Sequence, residues 1–175
     1  MTTFIDLLQK RRSTRKFENR PVEEDKIEKI LKAALMAPSS KRSTPWQFVV
    51  VDEKEKLEKM AVSREMGSKF LENAPLAIVV LADESKSDVW VEDASIAAVL
   101  MQLEVEDLGL GSCWIQVRGR RKDETITTEA YLRELLNVPA LKIECIIAIG
   151  YKDEEKKPFD ESKLQLEKIH RNSFA

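Results

Sequence analysis

The stretch DVWVEDASIAAVLMQLEVEDLGLGSCWIQV, residues 88–117, decides the fold. Residues 88–108 predict one long helix, because small and apolar side chains recur along one side at helical spacing. Small side chains allow close helix packing, so we expect this to be the central helix. Gly109 and Gly111 fit its C-terminal cap, and residues 112–117 predict a buried strand. The positions on the small and apolar side are Ala94, Ala97, Ala98, Met101, Val105 and Leu108.

Three further apolar runs predict the other strands of a sheet. They are residues 47–52 (QFVVVD), 76–82 (LAIVVLA) and 142–151 (KIECIIAIGY). Apolar residues from Ile27 to Leu35 recur at helical spacing and predict a core-facing helix. Thr3 is suited to cap a short first helix. Strands and helices interspersed in this way indicate an α+β fold.

The character of the chain changes after Tyr151. Residues 153–157 form a charged run, and the apolar residues that follow are sparse. A tail of about 24 residues cannot form a core of its own. We therefore expect residues 1–151 to form one domain, and residues 152–175 to form an extension that packs on another surface, such as a second subunit.

Composition excludes several classes of protein. The 175 residues are 43% hydrophobic and 34% charged, which allows a core beneath a highly charged surface. The formal net charge of −2 argues against a general nucleic-acid binder. Neither a signal peptide nor an apolar run of about 18 residues is present, so we expect a cytoplasmic protein without a membrane span. The two cysteines, Cys113 and Cys145, and the single His170 predict neither a disulfide framework nor a metal site.

A cluster of cations follows the first predicted helix, in the sequence RRSTRK at residues 11–16. Arginine and lysine donors close together at a helix end are suited to hold a phosphate. A solvated charged face is an equally simple interpretation. Nucleic-acid binding is a third, but aromatic residues do not alternate with the cations here.

Two other segments have both a functional and a structural interpretation. The loop APSSKRSTPW, residues 37–46, carries four hydroxyls and two cations between two prolines and could present donors to a heteroaromatic ring. An ordinary connection between helix and strand explains it as well. The segment LGLGSCWI, residues 108–115, lacks the third glycine and the strand-before-helix context of a dinucleotide fingerprint, so its glycines also fit a helix cap.

In their order and spacing, the motifs of this chain resemble the nitroreductase family, and the resemblance covers nearly the whole chain. They are RRSxR at residues 11–15, APSS at 37–40, PWxFVV at 45–50, APxxIVV at 74–80, DASIAA at 93–98, LGLGSCWI at 108–115 and IGY at 149–151. Two positions depart from the family's pattern. Arg42-Ser43-Thr44 stands where many members have Asn-x-Gln, and Gln116 stands where a glycine is frequent.

The resemblance implies a fold and a set of residues that contact FMN. The fold is a central mixed sheet of four to five strands flanked by helices, with the long central helix at a homodimer interface and a C-terminal extension embracing the partner. The RRSxR motif would hold the phosphate and the ribityl chain of FMN through Arg11, Arg12, Ser13 and Arg15, and Lys163 of the tail would complete the phosphate site. The loop that contains APSS would reach the flavin of the other subunit through Pro38, Ser39, Ser40 and Arg42. The flavin ring would be flanked by Trp114, Ile115, Gln116 and Val117.

The resemblance also implies an activity. NADH or NADPH would deliver a hydride through flavin N5 to a nitroaromatic, a quinone or a similar small acceptor, by a ping-pong mechanism. No side chain reacts, and Arg15 would stabilise the negative charge of the reduced ring. The alternatives are another flavin reaction on the same fold, such as reductive dehalogenation or flavin fragmentation, and a non-enzymatic flavin-binding role.

Overall fold

A computed structural model of the chain describes residues 3–174, and within that range it contains five α-helices and a four-stranded sheet. The helices are α1 (Phe4–Lys10), α2 (Glu24–Leu35), α3 (Lys54–Ala61), α4 (Trp90–Asp107) and α5 (Thr128–Leu136). The strands are β1 (Trp46–Val51), β2 (Leu76–Ala82), β3 (Gly111–Gln116) and β4 (Lys142–Gly150). Short 3₁₀ turns occupy Ser40–Arg42, Lys69–Asn73, Glu161–Lys163 and Leu166–Lys168.

The strands lie in the order β1-β2-β4-β3, and all three pairings are antiparallel. The prediction of a mixed sheet is therefore wrong, because the sheet contains no parallel pair of strands within residues 3–174. The one parallel contact found among residues 3–174 is an isolated bridge between Ser13 and Ser112. An apolar strand pattern has the same period in both directions, so the sequence could not determine the polarity of the strands.

Helices cover both faces of the sheet. On one face α2 and α4 pack against side chains such as Ile78 and Ile147. On the other face α3, α5 and the turn Lys69–Asn73 pack against residues such as Val79 and Ile146. The two inner strands, β2 and β4, are buried almost throughout, which leaves β1 and β3 at the edges.

The small side chains of α4 are used within the chain. Ala94, Ala98 and Met101 are fully buried, where α4 packs against α2 and the sheet. The opposite side of α4 leaves Ile96 and Val99 exposed. The small-residue side therefore does not face a second copy of the helix, whereas the apolar side that remains free can.

The two glycines after α4 have different roles. Gly109 has a φ of +75°, and the N–H of Leu110 donates to the carbonyl of Val105 at 2.9 Å, which is the Schellman cap expected of it. Gly111 is not a cap. A Cβ at this position would lie 2.6 Å from Oγ1 of Thr14, so glycine permits the segment after α1 to approach β3.

The first part of the tail forms backbone hydrogen bonds to the N-terminal segment of its own chain. The N–H of Asp153 donates to the Lys16 carbonyl at 3.0 Å, and that of Phe159 donates to the Gln9 carbonyl at 2.8 Å. Beyond Lys163, the backbone hydrogen bonds within the described part of the tail are local. No helix among residues 3–174 is both long and apolar enough to cross a bilayer.

Candidate functional site

The cation cluster predicted at residues 11–16 is fixed against the edge of the sheet. Arg11 caps α1, and its N–H donates to the Leu7 carbonyl at 2.9 Å. The N–H of Thr14 donates to the Ser112 carbonyl at 2.9 Å, beside the Ser13–Ser112 bridge. The backbone of the cluster is therefore held by β3, while its side chains remain available for a ligand.

Four of the predicted residues meet in one open pocket of about 410 Å³. The tail contributes a further cation, Lys156, whose Nζ donates to the Ser13 carbonyl. Sequence reasoning missed Lys156, because the charged run 153–157 has no motif. Only its position opposite the cluster could have indicated it. The lining residues are Leu8, Arg11, Arg12, Ser13, Arg15, Lys156 and Phe159.

Lys163 reaches the same region from the tail. It lines an adjoining open cavity of about 680 Å³ together with Arg12 and Lys156. The structure thus brings Lys163 to the predicted phosphate site, although Lys163 and Arg12 lie near opposite ends of the sequence.

The positive charge of this pocket is only partly compensated. Within residues 3–174, Arg11, Arg12 and Arg15 form no ion pair with a carboxylate, whereas Nζ of Lys156 lies 3.2 Å from Oε1 of Glu154. The Arg15 guanidinium lies 5.9 Å from the centroid of the Phe70 ring, so the turn Lys69–Asn73 adjoins the site. Donors without acceptors fit a dianion such as the phosphate of FMN.

The free edge of β3 supplies backbone groups next to the cations. The Ser112 carbonyl points away from β4 to Thr14, whereas the Val117 N–H donates to the Glu144 carbonyl of β4 at 3.2 Å. By the alternation of an antiparallel strand, the backbone groups of Trp114 and Gln116 point outward with Ser112. Apart from the Ser13–Ser112 bridge, no described segment pairs with β3 on this side.

The four residues predicted to flank a flavin ring therefore occupy two kinds of position. Trp114 and Gln116 are half-buried, and the indole Nε1 donates to Gln116 Oε1 at 2.8 Å. Ile115 and Val117 direct their side chains into the core on the other face of the sheet. These two can support the edge, but their side chains do not reach it.

The two cysteines of the sheet are protected thiols. Burial raises the pKa of Cys113, and the nearby Arg15 lowers it in part. Burial also raises the pKa of Cys145 well above its usual range. Neither thiol is suited to act as a nucleophile, because the thiolate is the reactive form.

A buried carboxylate anchors the loop that contains Pro38, Ser39, Ser40 and Arg42. Asp93 of α4 is 3% exposed and accepts from the Ser40 N–H at 2.9 Å and from Ser87 Oγ at 2.8 Å. Ser39 Oγ accepts from the Thr44 N–H at 2.9 Å. The sequence did not indicate this anchor, because the helical pattern and the DASIAA motif that contain Asp93 do not show which groups its carboxylate meets.

The backbone of this loop is strained. Lys41, Arg42 and Thr44 have φ values of 52°, 57° and 41°, in the left-handed region that non-glycine residues rarely adopt. Such strain persists where the surroundings enforce it, often at functional sites. Within one chain, the loop lines none of the pockets formed by the basic cluster.

The fold and the site define an α+β protein with a cationic pocket beside an open sheet edge. Comparison with known proteins identifies the family of this chain. The family model described as "Nitroreductase family" matches residues 8–66 and 56–151. The chain belongs to the nitroreductase family.

Individual relatives agree with this assignment. A solved structure of an FMN-dependent nitroreductase from Clostridium difficile R20291 is 55% identical, with a TM-score of 0.96 over 98% of this chain and 100% of that one. A putative NADH dehydrogenase/NAD(P)H nitroreductase from Archaeoglobus fulgidus is 36% identical over 99% of this chain and 100% of its own length. An iodotyrosine deiodinase from Thermotoga neapolitana is 28% identical over 94% of this chain and 96% of its own length.

The Asp93 anchor leads to a test of the loop. Asp93→Ala removes the acceptor for Ser40 and Ser87 and should lower the free energy of unfolding by about 1.5–3 kcal/mol. The control Ser87→Ala removes one donor only and should cost about 1 kcal/mol. Urea denaturation measures both, and trypsin should cleave after Lys41 and Arg42 faster in Asp93→Ala alone. Equal cleavage rates in the two variants would show that Asp93 does not hold the loop.

Proposed function

We propose that this protein is an FMN-dependent oxidoreductase that transfers a hydride from NADH or NADPH to a nitroaromatic, a quinone or a similar small acceptor. The observation that carries the proposal is a pocket beside the free edge of β3 whose three arginines, Arg11, Arg12 and Arg15, form no ion pair within residues 3–174. The name of the relative from Clostridium difficile, which is FMN-dependent, supports this choice of ligand.

Different residues of the chain would bind the phosphate end and the ring end of FMN. Arg11, Arg12 and Lys156, with Lys163 from the adjoining cavity, would balance the phosphate charge. When bound, FMN supplies the hydride chemistry. Arg15, next to Cys113 of β3, would stabilise negative charge on the ring at the other end.

The edge of β3 would form the wall along the ring. The outward backbone groups of Trp114 and Gln116 offer donors and acceptors in the plane of the sheet, which suits the polar edge of a planar heteroaromatic ring. Ile115 and Val117 would hold this wall in place from the core. No acid, base or nucleophile among the side chains is required, and a single pocket would serve both substrates in turn.

A second copy of the chain would complete the site. The loop with Ser39 and Ser40 does not line the basic pocket of its own chain, so we expect it to contact the flavin of a partner. Two neighbouring helices, α1 and α4, expose apolar side chains that an obligate dimer would cover. We propose that residues 1–151 form the domain and that residues 152–175 pack on the partner. The exposed apolar residues are Phe4, Ile5, Leu8, Ile96, Val99, Leu164, Leu166 and Ile169.

Reductive dehalogenation is the alternative that a specific finding favours. The relative from Thermotoga neapolitana, named an iodotyrosine deiodinase, aligns with 94% of this chain. The two functions share the flavin site and differ in the acceptor. Release of iodide from iodotyrosine by the reduced protein, with no turnover of quinones or nitroaromatics, would favour the alternative.

The first prediction concerns FMN affinity. Arg12→Ala should weaken FMN binding by roughly ten- to a hundredfold, because it removes a charge-assisted contact worth about 1.5–3 kcal/mol. Lys32→Ala, on the exposed side of α2, removes the same charge far from the pocket and should leave the dissociation constant unchanged. Titration of the apoprotein with FMN, followed by flavin fluorescence, measures both. Equal affinities in the two variants would refute the phosphate assignment.

The second prediction concerns turnover. Anaerobic NADH or NADPH should bleach the bound flavin, and a quinone or a nitroaromatic should restore its colour. Initial rates at several fixed acceptor concentrations should give parallel double-reciprocal lines, because the two substrates occupy one pocket in turn. Intersecting lines would contradict the shared pocket. A yellow protein that neither nicotinamide bleaches would indicate a non-enzymatic flavin-binding role.

The third prediction separates the two functions of the tail. Truncation after Lys163 keeps this cation but removes the exposed apolar residues Leu164, Leu166 and Ile169 of the tail. It should therefore shift the dimer towards monomer and weaken FMN binding. Lys163→Ala keeps those residues and should stay dimeric while FMN binding weakens. Analytical ultracentrifugation at micromolar concentration measures the assembly. A truncated chain that remains dimeric with the affinity of the full chain would disprove the role of the tail.

A further inference from the structure

A bulge in β4 places a charged residue, Glu144, in the buried part of the strand. Val80 of β2 pairs with Cys145, and the next residue, Leu81, pairs with Ile143, so Glu144 is the extra residue between them. Bulges change the direction of a side chain and are frequent beside active sites. Glu144 is 3% exposed, and burial of an ionisable group costs free energy that an apolar residue would not.

The carboxylate of Glu144 faces two residues beside the proposed flavin wall. Its Oε1 accepts a long hydrogen bond, 3.5 Å, from Gln116 Nε2. Its Oε2 lies 3.2 Å from Nε of Arg118, but this oxygen has no hydrogen-bond partner among the described residues. The same Gln116 Nε2 donates to the Arg118 carbonyl at 3.1 Å.

These contacts determine how the Gln116 amide is oriented. The Arg118 carbonyl and an ionised Glu144 carboxylate both only accept hydrogen bonds, so together they require the NH₂ of Gln116 to point toward them, and the contact with Arg118 is the shorter. The amide oxygen then faces the other way and accepts from Trp114 Nε1 at 2.8 Å. Glu144, Gln116 and Trp114 thus form a connected series, and its last two members are those whose backbone groups point out of the free edge of β3.

Packing alone does not explain a carboxylate at this position. A buried ion pair is often replaced by apolar residues without loss of stability, so it is weak evidence for a stabilising role. Here one partner, Arg118, is half-exposed, and one carboxylate oxygen lacks a hydrogen bond. The carboxylate instead contacts two side chains that lie beside the free edge of β3.

We propose that Glu144 is a positioning residue of the proposed flavin wall, whose carboxylate helps to hold Gln116 and Arg118 beside the edge of β3 and whose protonation weakens that hold. The proposal rests on the proposed function, because it is there that the edge of β3 acts as the flavin wall. It assigns a role to Gln116, a position at which this chain departs from the family's frequent glycine.

The surroundings of Glu144 favour protonation in an accessible range. Burial raises the pKa of Glu144 above its usual value of 4.5, and Glu92 of α4 adds to this, while Gln116 and Arg118 oppose it. Cys145, the other titratable neighbour, has its own pKa raised and stays neutral. As pH falls through the raised pKa, the ion pair with Arg118 is lost, and the Gln116 NH₂ keeps only the Arg118 carbonyl as an obligatory acceptor, so Gln116 is held less firmly.

The first arm of the test uses tryptophan fluorescence of the purified protein against pH. The emission of Trp114 should change with a midpoint above 4.5, because its indole is bound to Gln116. Glu144→Gln should abolish the change, Trp114→Phe should remove the reporter, and Glu92→Gln should move the midpoint downward. A fluorescence titration that persists in Glu144→Gln would overturn the proposed coupling.

The second arm measures acceptor reduction against pH. In the wild type, kcat/KM for the nicotinamide should decline below the same midpoint, and in Glu144→Gln this decline should be absent. At neutral pH the variant should lose roughly ten- to a hundredfold in kcat/KM, the size expected when one wall of a site is displaced. An unchanged pH profile and rate in Glu144→Gln would show that Glu144 is only structural.

The two proposals fail in different ways. If the wild type neither binds FMN nor turns over, the proposed function fails, and the role of Glu144 at a flavin wall fails with it. If the wild type is an active flavoenzyme and Glu144→Gln matches it at every pH, only the positioning role fails. The Glu92→Gln variant lies outside the pocket contacts and should retain wild-type kcat/KM at neutral pH.

Discussion

The antiparallel pairing of β2 with β4 is the constraint on which the rest of the structure depends. Both strands are apolar along nearly their whole length, so they are stable only when covered on two faces. This requirement places α2 and α4 on one face and α3 and α5 on the other. It also displaces β3 to the edge of the sheet, although β3 follows the central helix directly.

The position of β3 at the edge of the sheet underlies the proposed site. An inner strand has all its backbone groups paired, whereas an edge strand presents a row of unpaired donors and acceptors, which proteins usually cover. Here the segment after α1 covers only one end, at the Ser13–Ser112 bridge. The same bridge brings the cation cluster to the open part of the edge. A sheet edge and a charge cluster that are far apart in sequence thereby become one pocket.

Cations on the helices and cations in the pocket differ in how often they pair with carboxylates. On the outer sides of α2 and α3, cations pair with carboxylates three or four residues away, and these exposed pairs contribute little stability. In the pocket, Arg11, Arg12 and Arg15 lack such partners within residues 3–174, and of the pocket's cations only Lys156, from the tail, pairs with a carboxylate, Glu154. A net charge of −2 for the whole chain therefore conceals a local excess of positive charge.

The sequence by itself determined the elements, because the apolar periodicity of strands and helices is a local property. The run LAIVVLA matches β2 at both ends, and the family motifs identified the cation cluster. Only the tertiary structure decided the polarity of the strands, the contact of Lys156 with Ser13, the anchoring of the loop by Asp93, and the bulge that directs Glu144 toward Gln116. Each of these depends on which segments meet in space. No local sequence pattern encodes these contacts, because the residues that meet lie tens of positions apart and at no characteristic spacing.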